Sequence, residues 1–168
     1  DHGDMLQSHG QFAKQKPWDE SIKVPFIIKY PAKLTSPKVI NTPFVSVDIM
    51  PTLLGLSGLK IPNSVEGTDF SSYLLGKENI DIKSGLILCP VPFHEWSRIR
   101  GGKEYRGVRT ERYTYVKDLN GPWLLFDNEE DPYQQNNLAN NPEYANIQNE
   151  LNEELNRQLT ESNDEFKD

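Results

Sequence analysis

The sequence lacks the features that mark disulfide-stabilised, membrane-spanning or nucleic-acid-binding proteins. It has 168 residues and a single cysteine, Cys89, so no disulfide can form within the chain. No apolar run approaches the 18 residues or more that a transmembrane helix needs. Acidic residues outnumber basic ones by 25 to 18, and the formal net charge is −7. This balance argues against nucleic acid as a partner and against a polybasic membrane anchor.

The first hundred residues read as part of an α/β fold. A polar stretch is followed by the short apolar run 24–30, whose continuity predicts a strand buried on both faces, as in a parallel sheet. A helix is predicted to begin at Asp48, as its N-cap, and to end at Gly58. A second apolar run over 84–90 predicts another strand, which gives the order strand, helix, strand.

After residue 100 the pattern changes to an antiparallel meander followed by one helix. Alternating segments predict strands over 105–110, 112–117 and 123–127, with a turn at Asn120-Gly121. An amphipathic helix is predicted to begin near Pro142. We therefore expect two regions: residues 1–100, which belong to an α/β domain, and residues 101–168, a small α+β subdomain.

Two potential metal ligands, Asp1 and His2, stand at the start of the sequence. A carboxylate oxygen and a neutral imidazole nitrogen both bind divalent cations, and Gly3 would permit the turn that lets the two side chains converge. Lys14 follows, and a lysine near a metal can stabilise charge on a departing oxygen. The alternatives are a polar turn and a solvated surface lysine, and nothing in the sequence distinguishes Lys14 from Lys16.

Several blocks of the sequence, in the same order, resemble the formylglycine-dependent (type I) sulfatases. The first block runs from the Asp-His-Gly-Asp start through Lys14 to Ile28, and the second is the helix segment 47–58 with Glu66-Gly67 after it. The third spans 105–110 and continues through Phe126-Asp127 to Asn137-Leu138. The resemblance covers roughly residues 1–160. The family members that the sequence resembles are arylsulfatase-like and bacterial.

The resemblance implies a fold, a reaction and roles for particular residues. The fold is that of alkaline phosphatase, and the reaction is hydrolysis of a sulfated sugar or aryl sulfate ester. Asp1 and His2 match the second pair of metal ligands, Lys14 the lysine that contacts sulfate, and His9 a histidine that either touches substrate or braces its loop. The implied cofactors are a formylglycine and one divalent cation, Ca²⁺ first, with Mn²⁺ or Mg²⁺ as alternatives. The implied location is periplasmic or secreted.

Other parts of the family's pattern have no counterpart in this sequence. The formylglycine motif is not found, since Cys89 lies in a Cys-Pro-Val-Pro context and is better explained as a small buried apolar residue. The family's first aspartate pair is not found either. We therefore expect the chain to be the back part of a larger enzyme, with the N-terminal part of the same protein as its partner. Alone, it should be inactive and should bind metal weakly.

A basic and aromatic segment precedes the meander. Arg and Trp suit a sulfated or carboxylated sugar through forked hydrogen bonds and ring stacking. Arg106 and Arg109 are better explained as structural, paired with carboxylates of the meander. The residues predicted for a substrate-binding rim are His94, Trp96, Arg98 and Arg100.

Two other functions stay open. One is a phosphodiesterase or phosphonate monoester hydrolase of the same superfamily, since imidazole suits Mn²⁺ better than Ca²⁺. The other is a non-catalytic, carbohydrate-binding or structural remnant.

Overall fold

The computed structural model describes residues 1–166, which divide into two compact units. One contains Asp1–Val24 and the chain from Ser84 onward, and the other is Pro25–Lys83. This division does not coincide with the predicted boundary at residue 100, which stays a prediction about the whole protein. In the described part of the chain, no helix is long and apolar enough to cross a membrane.

The first unit is built on a four-stranded antiparallel sheet in the order β1-β2-β3-β4. Its strands are β1 (Ser84–Cys89), β2 (Tyr105–Thr110), β3 (Tyr113–Asp118) and β4 (Gly121–Asp127). The three predicted meander strands are confirmed within one or two residues. The predicted turn is confirmed too: Asn120 donates its backbone N–H to Asp118, and Gly121 has a φ of 105°.

Strand β1 is confirmed as a strand, but it does not belong to a parallel sheet. It pairs antiparallel with β2, from Ser84 opposite Thr110 to Cys89 opposite Tyr105. Leu86 packs with one apolar cluster, and Ile87 and Cys89 pack with another. Side chains from both faces of β1 thus contact apolar clusters, while Leu88 is 46% exposed. Apolar contacts on both faces favour a continuous apolar run, which is why the sequence resembles that of a parallel strand.

One helix covers a face of the sheet and completes the core of this unit. Asn141 accepts the backbone N–H of Glu143, and after a 3₁₀ turn over Pro142–Tyr144 the helix α4 spans Ala145–Glu161. This confirms the predicted amphipathic helix. Its buried leucines, Leu151, Leu155 and Leu159, form one cluster with residues of the sheet. The sheet residues are Val108, Tyr115 and Leu125.

Helix α4 is also joined to β1 by a carboxylate. Glu154 accepts hydrogen bonds from Ser84 Oγ at 2.6 Å and from Arg157 Nη2 at 2.8 Å. The Arg157 hydrogen bond, helped by those from Ser84 and Gln158 and opposed by burial, lowers the pKa of Glu154 from 4.5 to about 2.

We predict that this carboxylate contributes to the loss of stability in acid. The pKa is lower in the folded chain, so the contribution is fully present above the unfolded value and is lost as pH falls through the folded one. Glu154→Gln should therefore flatten the fall in unfolding free energy between about pH 5 and pH 2, by on the order of 1 kcal/mol, because the exposed Arg157 limits the effect. Urea unfolding at a series of pH values measures this. Glu153→Gln, on the exposed face of the same helix, is the control, and identical profiles for the two variants would contradict the prediction.

Arg106 and Arg109 are both in ion pairs, as expected, but their main partners lie outside the meander. Arg106 pairs with Asp164, just beyond α4, at 2.5 Å. Arg109 pairs through two nitrogens with Asp19, at 2.9 and 3.0 Å. Asp19 begins the short helix α1 (Asp19–Ile22), so this pair fixes the N-terminal segment to the sheet.

The second unit contains helices α2 (Ser46–Ser57) and α3 (Ser71–Leu74). The predicted helix is confirmed, and Gly58 ends it in the left-handed conformation. Asp48 is not the N-cap: it lies in the first turn and accepts the backbone N–H groups of Val45 and Thr68. Its carboxylate therefore binds one amide at the start of its own helix and one distant in sequence, which explains why it is buried.

The predicted strand over 24–30 is wrong for this structure. The segment has no strand assignment, and Ile27 is 90% exposed. Phe26 stacks on Phe44, with ring centroids 4.9 Å apart. A strand needs hydrogen-bonding neighbours, and among residues 1–166 none pairs with this run.

Candidate active site

The first two side chains and Lys14 come together at one point. The Nζ atom of Lys14 lies 2.9 Å from Nε2 of His2. Nε2 of His2 in turn lies 3.5 Å from Oδ1 of Asp1. His2 Nδ1 lies 2.8 Å from the Gly3 carbonyl oxygen. Since a carbonyl can only accept, Nδ1 carries the proton, and the lone pair of Nε2 faces Lys14. The sequence-predicted ligands and the lysine therefore converge.

Backbone contacts position this group. Gly3 donates its N–H to the Ser21 carbonyl at 2.9 Å, and a Cβ on Gly3 would lie 2.0 Å from the Glu20 carbonyl oxygen. Gly3 is thus required because its backbone packs closely on the α1 segment. The expected reason, that glycine permits a turn, is not the one that the structure shows. Met5, fully buried, donates its N–H to the Ala13 carbonyl at 3.0 Å. The two ends of the segment 5–13 are therefore held side by side.

The structure distinguishes Lys14 from Lys16, which the sequence could not. Lys14 is exposed and faces His2. Lys16 is 2% exposed and donates to the Phe12 carbonyl. Only Lys14 is placed to meet a ligand at the Asp1–His2 group.

His9 lies on the same loop but not in the same contact group. Its ring stacks on Trp18 with centroids 5.4 Å apart, and Nε2 lies 3.7 Å from Oε1 of Glu20. These contacts are those of a ring that braces the loop. Whether His9 also touches substrate stays a prediction.

The four predicted rim residues fall into two groups. His94 contacts Glu95 at 3.1 Å, Arg98 pairs with Glu104 at 3.1 Å, and Arg100 pairs with Glu95. All three basic side chains are exposed.

Trp96 is different, because it is only 6% exposed and belongs to an apolar cluster with Tyr105 and Phe126. The structure therefore does not place this ring on an accessible rim.

Asp1 and His2 supply one oxygen and one nitrogen donor for a divalent cation. Within residues 1–166, no group of three His, Cys, Asp or Glu side chains is arranged to hold a metal. The pair fits part of a site: Asp1 is 93% exposed, and the His2 tautomer presents a lone pair on Nε2. The other ligands of a six- to eight-coordinate ion would have to come from elsewhere.

One polar network that supports this region was missed by reasoning from the sequence. Gln134, 1% exposed and with a φ of 54°, accepts the Asp19 N–H at 2.8 Å and donates to Asn128 and Thr114. Together with the Arg109–Asp19 pair, it fastens α1 to the sheet. A lone glutamine in a polar loop carries no local signal, so only the tertiary structure could reveal this contact.

Comparison with known proteins agrees with this architecture. A family model described as N-sulphoglucosamine sulphohydrolase, C-terminal, matches residues 7–161. An ulvan-active sulfatase of Formosa agariphila is 44% identical over 173 residues, covering 99% of this chain and 33% of the relative. The chain thus spans about a third of the length of the curated relatives it matches.

Solved structures extend the comparison. A 2-O GAG sulfatase superposes with a TM-score of 0.83 at 28% identity, covering 97% of this chain and 35% of that one. A protein in complex with its substrate D-glucosamine-2-N,6-O-disulfate superposes with a TM-score of 0.79 at 25% identity, covering 98% and 33%. The likeness confirms the alkaline-phosphatase-like fold class. On this evidence, the chain belongs to the sulfatase family and corresponds to its C-terminal portion.

Proposed function

We propose that the protein to which this chain belongs is a sulfuric-ester hydrolase acting on a sulfated carbohydrate, and that this chain supplies half of its active site. The observation that carries the proposal is the convergence of Asp1, His2 and Lys14, with Lys14 Nζ 2.9 Å from His2 Nε2, in a chain of this family. The relatives' names support the substrate class, since they include an ulvan-active sulfatase and a protein bound to a glucosamine disulfate.

Each of the three side chains has a chemical role in this proposal. Asp1 and His2 would hold one side of a divalent cation, through a carboxylate oxygen and an imidazole nitrogen. When that cation is bound, it supplies a Lewis acid, and we assign Ca²⁺ first, with Mn²⁺ or Mg²⁺ as alternatives. Lys14 then leaves His2 and places its ammonium against the sulfate group and the departing oxygen, where it stabilises developing negative charge.

The upstream part completes the site in this proposal. It contributes the formylglycine nucleophile and the remaining ligands, and it corresponds to the two thirds of the relatives' length that this chain does not span. His94, Arg98 and Arg100 remain predicted contacts for the anionic sugar. The proposed location is periplasmic or secreted.

The alternative reaction, phosphonate or phosphodiester hydrolysis, would use the same three side chains. His2 keeps it open, because a nitrogen ligand suits Mn²⁺ better than Ca²⁺.

The test is a paired assay of the protein that carries this chain together with its upstream part. A sulfate ester and a phosphonate ester with the same leaving group are compared at matched concentrations. We expect the larger kcat/KM for the sulfate ester, and a preference for the phosphonate would establish the alternative. If the protein hydrolyses neither ester and no sulfated sugar, that result would favour a non-catalytic carbohydrate-binding protein.

A further inference from the structure

A buried cation, Lys16, lies two residues from Lys14 and has no part in the proposed reaction. It is 2% exposed, and its Nζ donates to the carbonyl oxygens of Phe12 at 2.5 Å and of Lys14 at 3.3 Å. Its backbone N–H donates to Ser21 Oγ at 3.2 Å. Lysine is rarely buried because its ammonium loses hydration. Lys16 therefore needs a structural role that an apolar residue of similar size could not fill.

Each of the two carbonyls that Lys16 binds belongs to a residue directly before a left-handed residue of a strained turn, Ala13 or Gln15. Ala13 has a φ of 59° and Gln15 a φ of 70°, so the residues on both sides of Lys14 are left-handed without being glycine. Such a conformation costs about 1–2 kcal/mol per residue, and it persists only where surrounding contacts enforce it. Lys16 supplies two such contacts. A third is the hydrogen bond from the Met5 N–H to the Ala13 carbonyl.

Lys16 also joins this turn to the segment before β2. Its Nζ lies 4.8 Å from the centroid of the Trp96 ring, within the range of a cation–π contact. Trp96 is fixed in turn by a hydrogen bond from Nε1 to the Lys103 carbonyl at 3.1 Å and by stacking against Trp123. Burial lowers the pKa of Lys16, and the charges of Asp4 and Glu95 oppose that effect.

We propose that Lys16 is a positioning residue: seated on Trp96, it holds the strained turn that presents Lys14 to the Asp1–His2 group. Its role in the reaction rests on the function proposed above, whereas its hold on the turn can be tested separately. Trp96 then acts from within the core, by supporting Lys16, and not by stacking on a sugar. This gives a reason for its burial.

The central variant is Lys16→Met, which keeps an unbranched side chain only one heavy atom shorter and removes the charge and the donors. Lys60→Met, at an exposed lysine in the other unit, is the matched control. Trp96→Phe is a second variant, which keeps an aromatic ring beneath the ammonium and guards against poor folding of Lys16→Met. Two quantities are measured in the protein with its upstream part: the amide hydrogen exchange of Met5, and kcat and KM for a sulfate ester.

We expect Lys16→Met to lower kcat by about 10- to 100-fold, because a displacement of a reacting group by about 1 Å has effects of this size. KM should stay within about twofold, because Lys14 acts on charge that develops in the transition state. Met5 amide exchange should become about tenfold faster, since its acceptor at Ala13 is released. Trp96→Phe should lower kcat by a smaller factor, again with little change in KM.

Normal kcat and normal Met5 exchange in Lys16→Met would overturn the proposal. So would a Trp96→Phe variant in which only KM rises, since that result would place the ring at the substrate. If the unmodified protein hydrolyses no sulfate ester, the proposed function fails, and the Met5 exchange still decides whether Lys16 holds the turn.

Discussion

Replacing Lys14 by methionine should reduce the kcat for sulfate-ester hydrolysis by about 10²–10³-fold, the range found when one preorganised donor to a developing anion is removed. The physical reason is the position of Lys14: its exposed ammonium contacts Nε2 of His2 and can exchange that contact for a sulfate oxygen. Steady-state kinetics on the protein with its upstream part measure the effect. KM should change much less than kcat.

The matched control for Lys14→Met is again Lys60→Met, which should retain normal turnover. Met5 amide exchange should also stay normal in Lys14→Met, because the Phe12 and Lys14 carbonyls keep their donor in Lys16. Turnover of Lys14→Met within about threefold of the unmodified protein would remove Lys14 from the proposed chemistry, given that oxyanion donors have larger effects.

The second large effect is on stability. Leu155 is fully buried in the cluster that joins α4 to the sheet. Leu155→Ala removes this contact and leaves a cavity, so the free energy of unfolding should fall by about 2–5 kcal/mol. Urea denaturation followed by circular dichroism measures it.

Leu119→Ala, at a leucine that is 44% exposed, is the control and should cost less than about 1 kcal/mol. An equal loss in both variants would mean that α4 does not carry the core of this unit.

Much of the sheet and its helix could be predicted because their signals are local. The alternation in Tyr105–Asp127, the Asn120-Gly121 turn and the spacing of Leu151, Leu155 and Leu159 each depend on neighbouring residues only. The predictions that failed concern partners. The run 24–30 and strand β1 are both largely apolar. Strand β1 pairs with β2 and contacts two apolar clusters within the chain, whereas Ile27 of the run 24–30 is exposed.

The candidate site shows the same division between local signals and tertiary placement. Asp1, His2 and Lys14 were singled out by residue type and resemblance, and the structure brings them together. The sequence could not show that Lys16 is buried or that Trp96 lies beneath its ammonium, because residues 16 and 96 are brought together only by the fold. Asp48 is a smaller example: it accepts the backbone N–H of Thr68, a contact between residues distant in sequence that local pattern does not reveal.

Calorimetric titration with Ca²⁺, Mn²⁺ and Mg²⁺ decides whether Asp1 and His2 form only half of a metal site. Two donors fall short of the six to eight oxygens that Ca²⁺ prefers, so the chain alone should show no tight, stoichiometric binding. Joined to its upstream part, the protein should bind one ion tightly and lose that binding when Asp1 and His2 are both changed to alanine. Tight, stoichiometric binding by this chain alone, or binding in the joined protein that survives the double change, would contradict the account.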